Sequence, residues 1–321
     1  MSGGSPGPPA STGSHPPAGR LEAIVRSRRF AVTSEVVPPR SGDQGAVARQ
    51  ARDLVGYADA VNVTDNPAAR AHMSPVAGAA AVSQAGLEPT LQLTVRDRNR
   101  LALTADLLGA WALGARNLLC MTGDPITIGD HPDAAAVNDL GLIDLVRLAS
   151  GMSAEGRLLS GAEIADPPRF FVGVTDSPLA PAYDPDRLEA KLDAGAEFVM
   201  TQIAYDLEAL TAWAELLRGR GIADRAALIV GVAPLLGARH ARSLQERLPG
   251  VIVPPETIAA LEGAGDEAEA LGIALCVELV KGLRETPGIA GVHVMGMGRE
   301  QVVRRVIQES GLLPRPTAST P

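Results

Sequence analysis

The sequence predicts a single (β/α)8 TIM barrel, an α/β fold in which eight strand–helix units close on themselves. Three observations predict it. Eight short apolar runs are spread along the 321-residue chain, each rich in Val, Ile, Leu or Phe, as strands covered on both faces should be. A stretch with apolar residues at three- and four-residue intervals, the pattern of an amphipathic helix, follows each run. No G-x-G-x-x-G follows any run, which leaves the doubly wound dinucleotide-binding sheet as runner-up.

The elements fall in order. Residues 1–18 are Gly, Ser, Pro and Ala with a lone His15, and 314–321 read the same way. Such segments bury too little apolar surface to offset ordering, so disorder is expected at both ends and the barrel is expected over 19–313. The strand runs are Phe30–Val37, Ala58–Asp65, Leu87–Thr94, Asn117–Gly123, Phe170–Asp176, Glu197–Ile203, Ala227–Ala233 and Gly291–Met297. The helical patterns are Gly45–Tyr57, Pro67–Gln84, Arg98–Leu113, Leu140–Ser150, Asp184–Gly195, Asp206–Gly219, Pro254–Arg284 and Arg299–Ser310. Two connections are long: Pro125–Asp139, beginning where ligand sites gather, and Gly151–Arg169, expected at the opposite end.

Composition narrows the function classes. A formal charge of -8 argues against nucleic acid or an anionic membrane as partner, so an anionic ligand needs local Arg or Lys. The two cysteines, Cys120 and Cys276, are far apart, apolar in setting and without ligand spacing, so no metal site is expected. They read as small core residues in a reducing cytoplasm. No apolar run is long enough to cross a membrane, and no charged-then-apolar leader opens the chain, so a cytoplasmic protein is expected.

The candidate site lies where strands end. Barrels place ligands at the carboxyl ends of their strands. There the chain offers Glu35, Thr64-Asp65-Asn66, Gln92 and Thr94, Asp124, Asp176, and Thr201-Gln202 with Tyr205-Asp206. Glu35 lies inside an apolar strand, Val-Thr-Ser-Glu-Val-Val, a setting that favours the neutral carboxyl a general acid needs. A structural ion pair with Arg40 is the competing reading. Asp124 sits in Thr-Gly-Asp-Pro, a turn that Gly123 frees and Pro125 stiffens. It either faces a ligand or caps the following segment. The run Arg96-Asp97-Arg98-Asn99-Arg100 reads first as a solvated helix start and second as an anion contact. His131, in the long loop, reads as structural.

These motifs resemble the methylenetetrahydrofolate reductase family. The resemblance rests on Ser34-Glu35-Val36-Val37-Pro38-Pro39-Arg40, Val63-Thr64-Asp65-Asn66, Thr94-Val95-Arg96-Asp97-Arg98-Asn99, Thr122-Gly123-Asp124-Pro125 and Asp193-Ala194-Gly195-Ala196 with Thr201-Gln202, in family order over about 28–312. The Asp-Asn after the second strand and the Gly-x-His-Pro after Asp124 look closest to the branch of acetogens and other one-carbon specialists. The resemblance implies a flavoprotein that passes hydride from NADH or NADPH through flavin to 5,10-methylenetetrahydrofolate. It implies Glu35 as general acid, Asp124 as the group that stabilises the iminium, and Gln202 as a pterin contact. It implies Thr64, Gln92, Asp184 and Lys191 as flavin contacts. Three departures, Thr122, Gln92 and Ala190 where basic residues or His are common, thin the positive charge around a diphosphate. FAD nonetheless stays the first expectation, with FMN or weak flavin retention the alternative. A pterin-binding one-carbon transferase without redox chemistry is a second reading, and a subunit that needs a partner reductase, or a homo-oligomer, a third.

Overall fold

The computed structural model describes residues 15–248 and 250–316. The disorder expected over 1–14 and 317–321 falls outside the described residues. Eight parallel strands, β1 (Ala31–Val36), β2 (Ala60–Val63), β3 (Pro89–Thr94), β4 (Asn117–Met121), β5 (Phe171–Asp176), β6 (Phe198–Ile203), β7 (Ala227–Val232) and β8 (Ile289–Val294), close in sequence order. Each expected run contains or overlaps its strand. Eleven α-helices are present among the described residues: α1 (Arg20–Arg26), α2 (Gln44–Asp53), α3 (Pro75–Gln84), α4 (Arg100–Ala112), α5 (Leu142–Glu155), α6 (Pro185–Asp193), α7 (Leu207–Gly219), α8 (Ala238–Arg247), α9 (Pro255–Gly263), α10 (Ala268–Glu285) and α11 (Glu300–Glu309).

Strand alternation divides the side chains into two cores. Val32, Val61, Leu91, Leu93, Val172, Val199, Leu228 and Val292 face outward into the helix layer. Ala31, Ala60, Leu119, Phe171, Phe198, Met200 and Ile229 face inward. The inner core fills the amino-terminal half of the barrel. Phe171 and Phe198 stack there with centroids 4.8 Å apart. Gly173 makes the room, since a Cβ at that position would stand 2.2 Å from the Phe198 ring. Beneath them α1 closes the amino end, with Leu21 and Ile24 fully buried against the same cluster. The Glu88 carboxylate accepts from the first amides of α1, Arg20 N and Leu21 N. That bond satisfies donors every helix start leaves open.

Five expectations need correction. The helix expected over Pro67–Gln84 begins at Pro75, because Asn66, Ala68 and Ala69 are left-handed, with φ of 45°, 54° and 55°. Left-handed residues cannot continue a right-handed helix. Pro254–Arg284 is two helices, broken by a tight turn at Gly265, φ 52°. α1 was not expected, since seven residues are too few to show a period. Nor was α8, whose face is charged and buries only Ala241 and Leu244. Of the tail expected to be disordered, 314–316 pack on the barrel. Arg315 pairs with Asp59 at 2.5 Å, and the Pro316 carbonyl accepts from Arg20 at 2.7 Å.

Candidate active site

Alternation also decides which polar residues look into the barrel. Glu35 shares the inward parity of Ala31 and Thr33, Thr64 that of Ala60 and Asn62, and Gln92 that of Thr90. Gln202 follows Phe198 and Met200. All four lie at or near the carboxyl ends of their strands, above the apolar filling. Asp124 stands on the same rim, three residues beyond β4. The polar residues that sequence reasoning gathered are therefore on one side of the plug formed by Phe171, Phe198 and α1.

Glu35 is 13% exposed at its side chain and lies 3.8 Å from His293 Nε2. His293, in β8, is itself buried, and its Nδ1 shares a hydrogen bond with Thr33 Oγ1 at 2.9 Å. Thr33 and His293 are register partners across the β1–β8 seam. Sequence reasoning missed His293. Its signal was present: a histidine inside an apolar strand, two residues after Gly291 on the inward parity. The competing pair of Glu35 with Arg40 does not form, because Arg40 is exposed and binds Asp130 at 2.5 Å.

Asp124 does cap, but not the segment that follows it. Its Oδ2 accepts from Ala68 N, in the β2–α3 loop, at 2.8 Å. A carboxylate offers about four acceptor positions, so one amide leaves capacity for a ligand. Arg96 Nη1 donates to the Asp124 carbonyl at 3.0 Å. Arg98 is bidentate to the buried Asp65, at 2.7 and 3.0 Å, and Asp65 also accepts from Thr94 N at 2.9 Å. The charged run after β3 is thus neither a solvated helix start nor an open anion clamp at Arg96 and Arg98. It is wired into the rim. The long loop after Asp124 is tied down as well: Asp130 accepts from Ala71 N, and Val137 N donates to Arg96 O at 2.8 Å.

The expected flavin contacts are divided. Thr64 is buried and its Oγ1 has no partner, and Gln92 is buried on the inner wall. Lys191 reaches the rim from α6, where Nζ donates to Thr175 O at 2.6 Å. Burial holds its ammonium below the ordinary lysine value, against the pull of Asp176. Burial likewise pushes Asp176 up, against Lys191 and the Tyr183 hydroxyl, which donates to it at 2.8 Å. Asp184 lies on the same rim, in the loop from β5 to α6. It is exposed and caps its own helix, accepting from Asp186 N at 3.0 Å. Gln202 Oε1 accepts from Ile203 N at 2.9 Å.

A cavity of about 80 Å³ opens on the same rim beside the ends of β7 and β8, lined in part by Pro234, His240, Met295 and Arg299. Burial, then Arg247 and Arg299, holds the His240 imidazole below its ordinary value. Arg299 is already paired with Glu269, at 2.9 Å. A second cavity, of about 1090 Å³, is on the amino-terminal face between Arg28, Glu197, Arg218 and Arg284, and no expected site residue lines it. Among the described residues no three His, Cys, Asp or Glu side chains gather as a metal set, and no helix is long and apolar enough to cross a membrane.

Comparison with known proteins adds a family to this geometry. The family model described as methylenetetrahydrofolate reductase matches residues 20–311. A probable methylenetetrahydrofolate reductase (NADPH) of Caenorhabditis elegans is 25% identical over 311 residues, 91% of this chain and 44% of its own length. Methylenetetrahydrofolate reductase 1 of Schizosaccharomyces pombe is 26% identical, over 71% of this chain and 36% of its own. The 5,10-methylenetetrahydrofolate reductase of Salmonella typhimurium is 23% identical, over 71% of this chain and 72% of its own. The chain thus spans less than half the length of the worm and fission-yeast relatives. A solved structure of an uncharacterized Clostridium thermocellum protein, described as binding two copies of 5-methyl-5,6,7,8-tetrahydrofolic acid, shares the fold. Its TM-score is 0.59 at 11% identity, covering 90% of this chain and 98% of that one.

Proposed function

The chain belongs to the methylenetetrahydrofolate reductase family, and from that footing we propose that it reduces 5,10-methylenetetrahydrofolate to 5-methyltetrahydrofolate with hydride from NADH or NADPH. The observation that carries the reading is the gathering of Glu35, backed by His293, and Asp124 on one rim above a sealed apolar floor.

The chemistry needs two things of the protein. The methylene carbon bridges N5 and N10, and opening that ring requires a proton on N10 as the bond to carbon breaks. Glu35 supplies it, with His293 Nε2 3.8 Å away and His293 itself fixed by Thr33. Opening leaves a cationic N5 iminium. Asp124 steadies that charge, and the low dielectric of the rim makes a fixed carboxylate worth more there than in water. Hydride then reaches the iminium carbon and leaves a methyl group on N5. One proton and one hydride are consumed, and charge balances. Gln202 would meet the pterin.

A flavin, FAD first and FMN second, fits the ring end of this site. The unpartnered Thr64 hydroxyl is a buried polar atom in want of a ligand, and Gln92 lies beside it on the neighbouring strand. Lys191 would stand toward the phosphates, where its bond to Thr175 O would be traded for them. A bound flavin would supply the relay of hydride from the nicotinamide to the folate.

The test is direct. Purified protein is mixed with NADH or NADPH and methylenetetrahydrofolate under anaerobic conditions, the methylated product is quantified, and the absorption spectrum is recorded. Product with a bleaching yellow chromophore supports the full reading. Product from colourless protein retains the reductase and removes the flavin. Binding of methyltetrahydrofolate without reduction by either nicotinamide overturns the reductase in favour of the transferase or the partner-dependent subunit.

A further inference from the structure

Arg96 has a side chain only 6% exposed, and its guanidinium is engaged entirely with the rim. Nε and Nη2 form a fork on the Asp97 carboxylate at 2.6 and 2.7 Å. Nη1 donates to the Asp124 carbonyl at 3.0 Å, and Nη2 reaches the Asn66 carbonyl at 3.4 Å. Asp97 closes the circuit by accepting from Asn66 Nδ2 at 3.1 Å, while Asn66 Oδ1 accepts from His72 N at 3.0 Å. One planar cation therefore joins the loops that follow β2, β3 and β4.

The loop after β2 needs such a tie. Asn66, Ala68 and Ala69 all hold positive φ, a conformation that side chains bearing Cβ resist. Left-handed non-glycine residues persist where their surroundings over-determine them, and they cluster at functional sites. Here the unusual turn has a visible result: it aims Ala68 N at Asp124 Oδ2, 2.8 Å away. Opposing contacts keep it in place. Gly129 lies so close to the Ala69 carbonyl that a Cβ there would stand 2.0 Å from it.

We propose that Arg96 is a positioning residue for Asp124: its fork on Asp97 and its two carbonyl bonds hold the Asn66–Ala69 turn and the Asp124 backbone as one unit, so that the carboxylate faces the iminium. The proposal rests on the reading of Asp124 given above. Arg96 does not touch the substrate in it. A lysine keeps the charge but cannot span the four acceptors of the fork, so Arg96→Lys is the informative change. Misplacement by about 1 Å of a group that acts on the transition state costs roughly a hundredfold.

The experiment is a double-mutant cycle on the full chain. Arg96→Lys should lower kcat/KM for methylenetetrahydrofolate by about 10- to 100-fold. In the Asp124→Asn background the same change should cost less than about threefold, because there is no longer a carboxylate to aim. A purely structural Arg96 would give equal losses in both backgrounds, and that result overturns the proposal. If Arg96→Lys fails to fold, Asp97→Asn replaces it, loosening the fork while leaving the carbonyl bonds. Its loss should shrink in the Asp124→Asn background in the same way, and additivity there overturns the proposal equally. An unaltered chain that neither turns over nor binds methyltetrahydrofolate removes the functional reading and this inference with it. Turnover with additive losses removes only the role of Arg96.

Discussion

Consider the replacement Asp59→Asn. Asp59 is fully buried at the amino-terminal end of the barrel, just before β2. Its carboxylate accepts from Val32 N at 2.9 Å, from Arg20 Nη2 at 3.0 Å and from Arg315 Nη2 at 2.5 Å. The asparagine keeps the shape and one acceptor but removes the charge. Arg20, with 30% of its side chain exposed, can turn to water, whereas Arg315, 5% exposed, is left as a stranded cation. Removing one partner of a buried pair costs about 3–5 kcal/mol. For a chain of this size that lowers Tm by something on the order of 10 °C. Urea unfolding and thermal melting followed by circular dichroism would read it. Asp59→Asn with Arg315→Met removes the charge from both sides and should recover more than half of the loss. A cost below about 1 kcal/mol for the single change, or simple additivity in the double, would refute the claim that this pair fastens the tail to the barrel.

Two further outcomes follow from the site and the floor. Glu35→Gln should slow folate reduction by roughly 10²–10⁴ while sparing the reaction with nicotinamide. His293→Asn should slow folate reduction by roughly tenfold and add little to Glu35→Gln, as expected of groups acting as a unit; equal losses in both half-reactions would make Glu35 structural. Burial, then Glu22, pushes the Glu197 carboxyl up to about 7, against Arg26. Its folded value exceeds its unfolded one, so the stability it contributes is present below about pH 4 and is lost as pH rises toward 7. Glu197→Gln should therefore exceed the parent in unfolding free energy from urea titration at pH 8, by about 1–3 kcal/mol, and match it near pH 4. A constant gap across that range would exclude the linkage.

Much of this fold was legible because both faces of every strand are covered. Runs such as Leu118-Leu119-Cys120-Met121 and Ala227–Val232 are apolar throughout, and no half-exposed alternative competes. What stayed hidden depends on contacts between distant residues. α8 carries Arg239, His240, Arg242, Gln245, Glu246 and Arg247, so its period is drowned by charge. Arg96 and Arg98 looked solvated because nothing local shows that Asp65, Asp97, Asp106 and Asp124 converge on them. Glu35 stood out as a carboxyl in an apolar strand. His293 did not, since its meaning lies in a neighbour 258 positions away that only barrel closure supplies.

The seal at the bottom of the barrel has a kinetic corollary. With α1 and the stacked phenylalanines filling the lower mouth, a ligand at the strand ends is approached from the top. On the proposed reading, a hydride donor and a hydride acceptor would share that approach. Excess of either one should then obstruct the other, and loops hung around it govern traffic as well as chemistry.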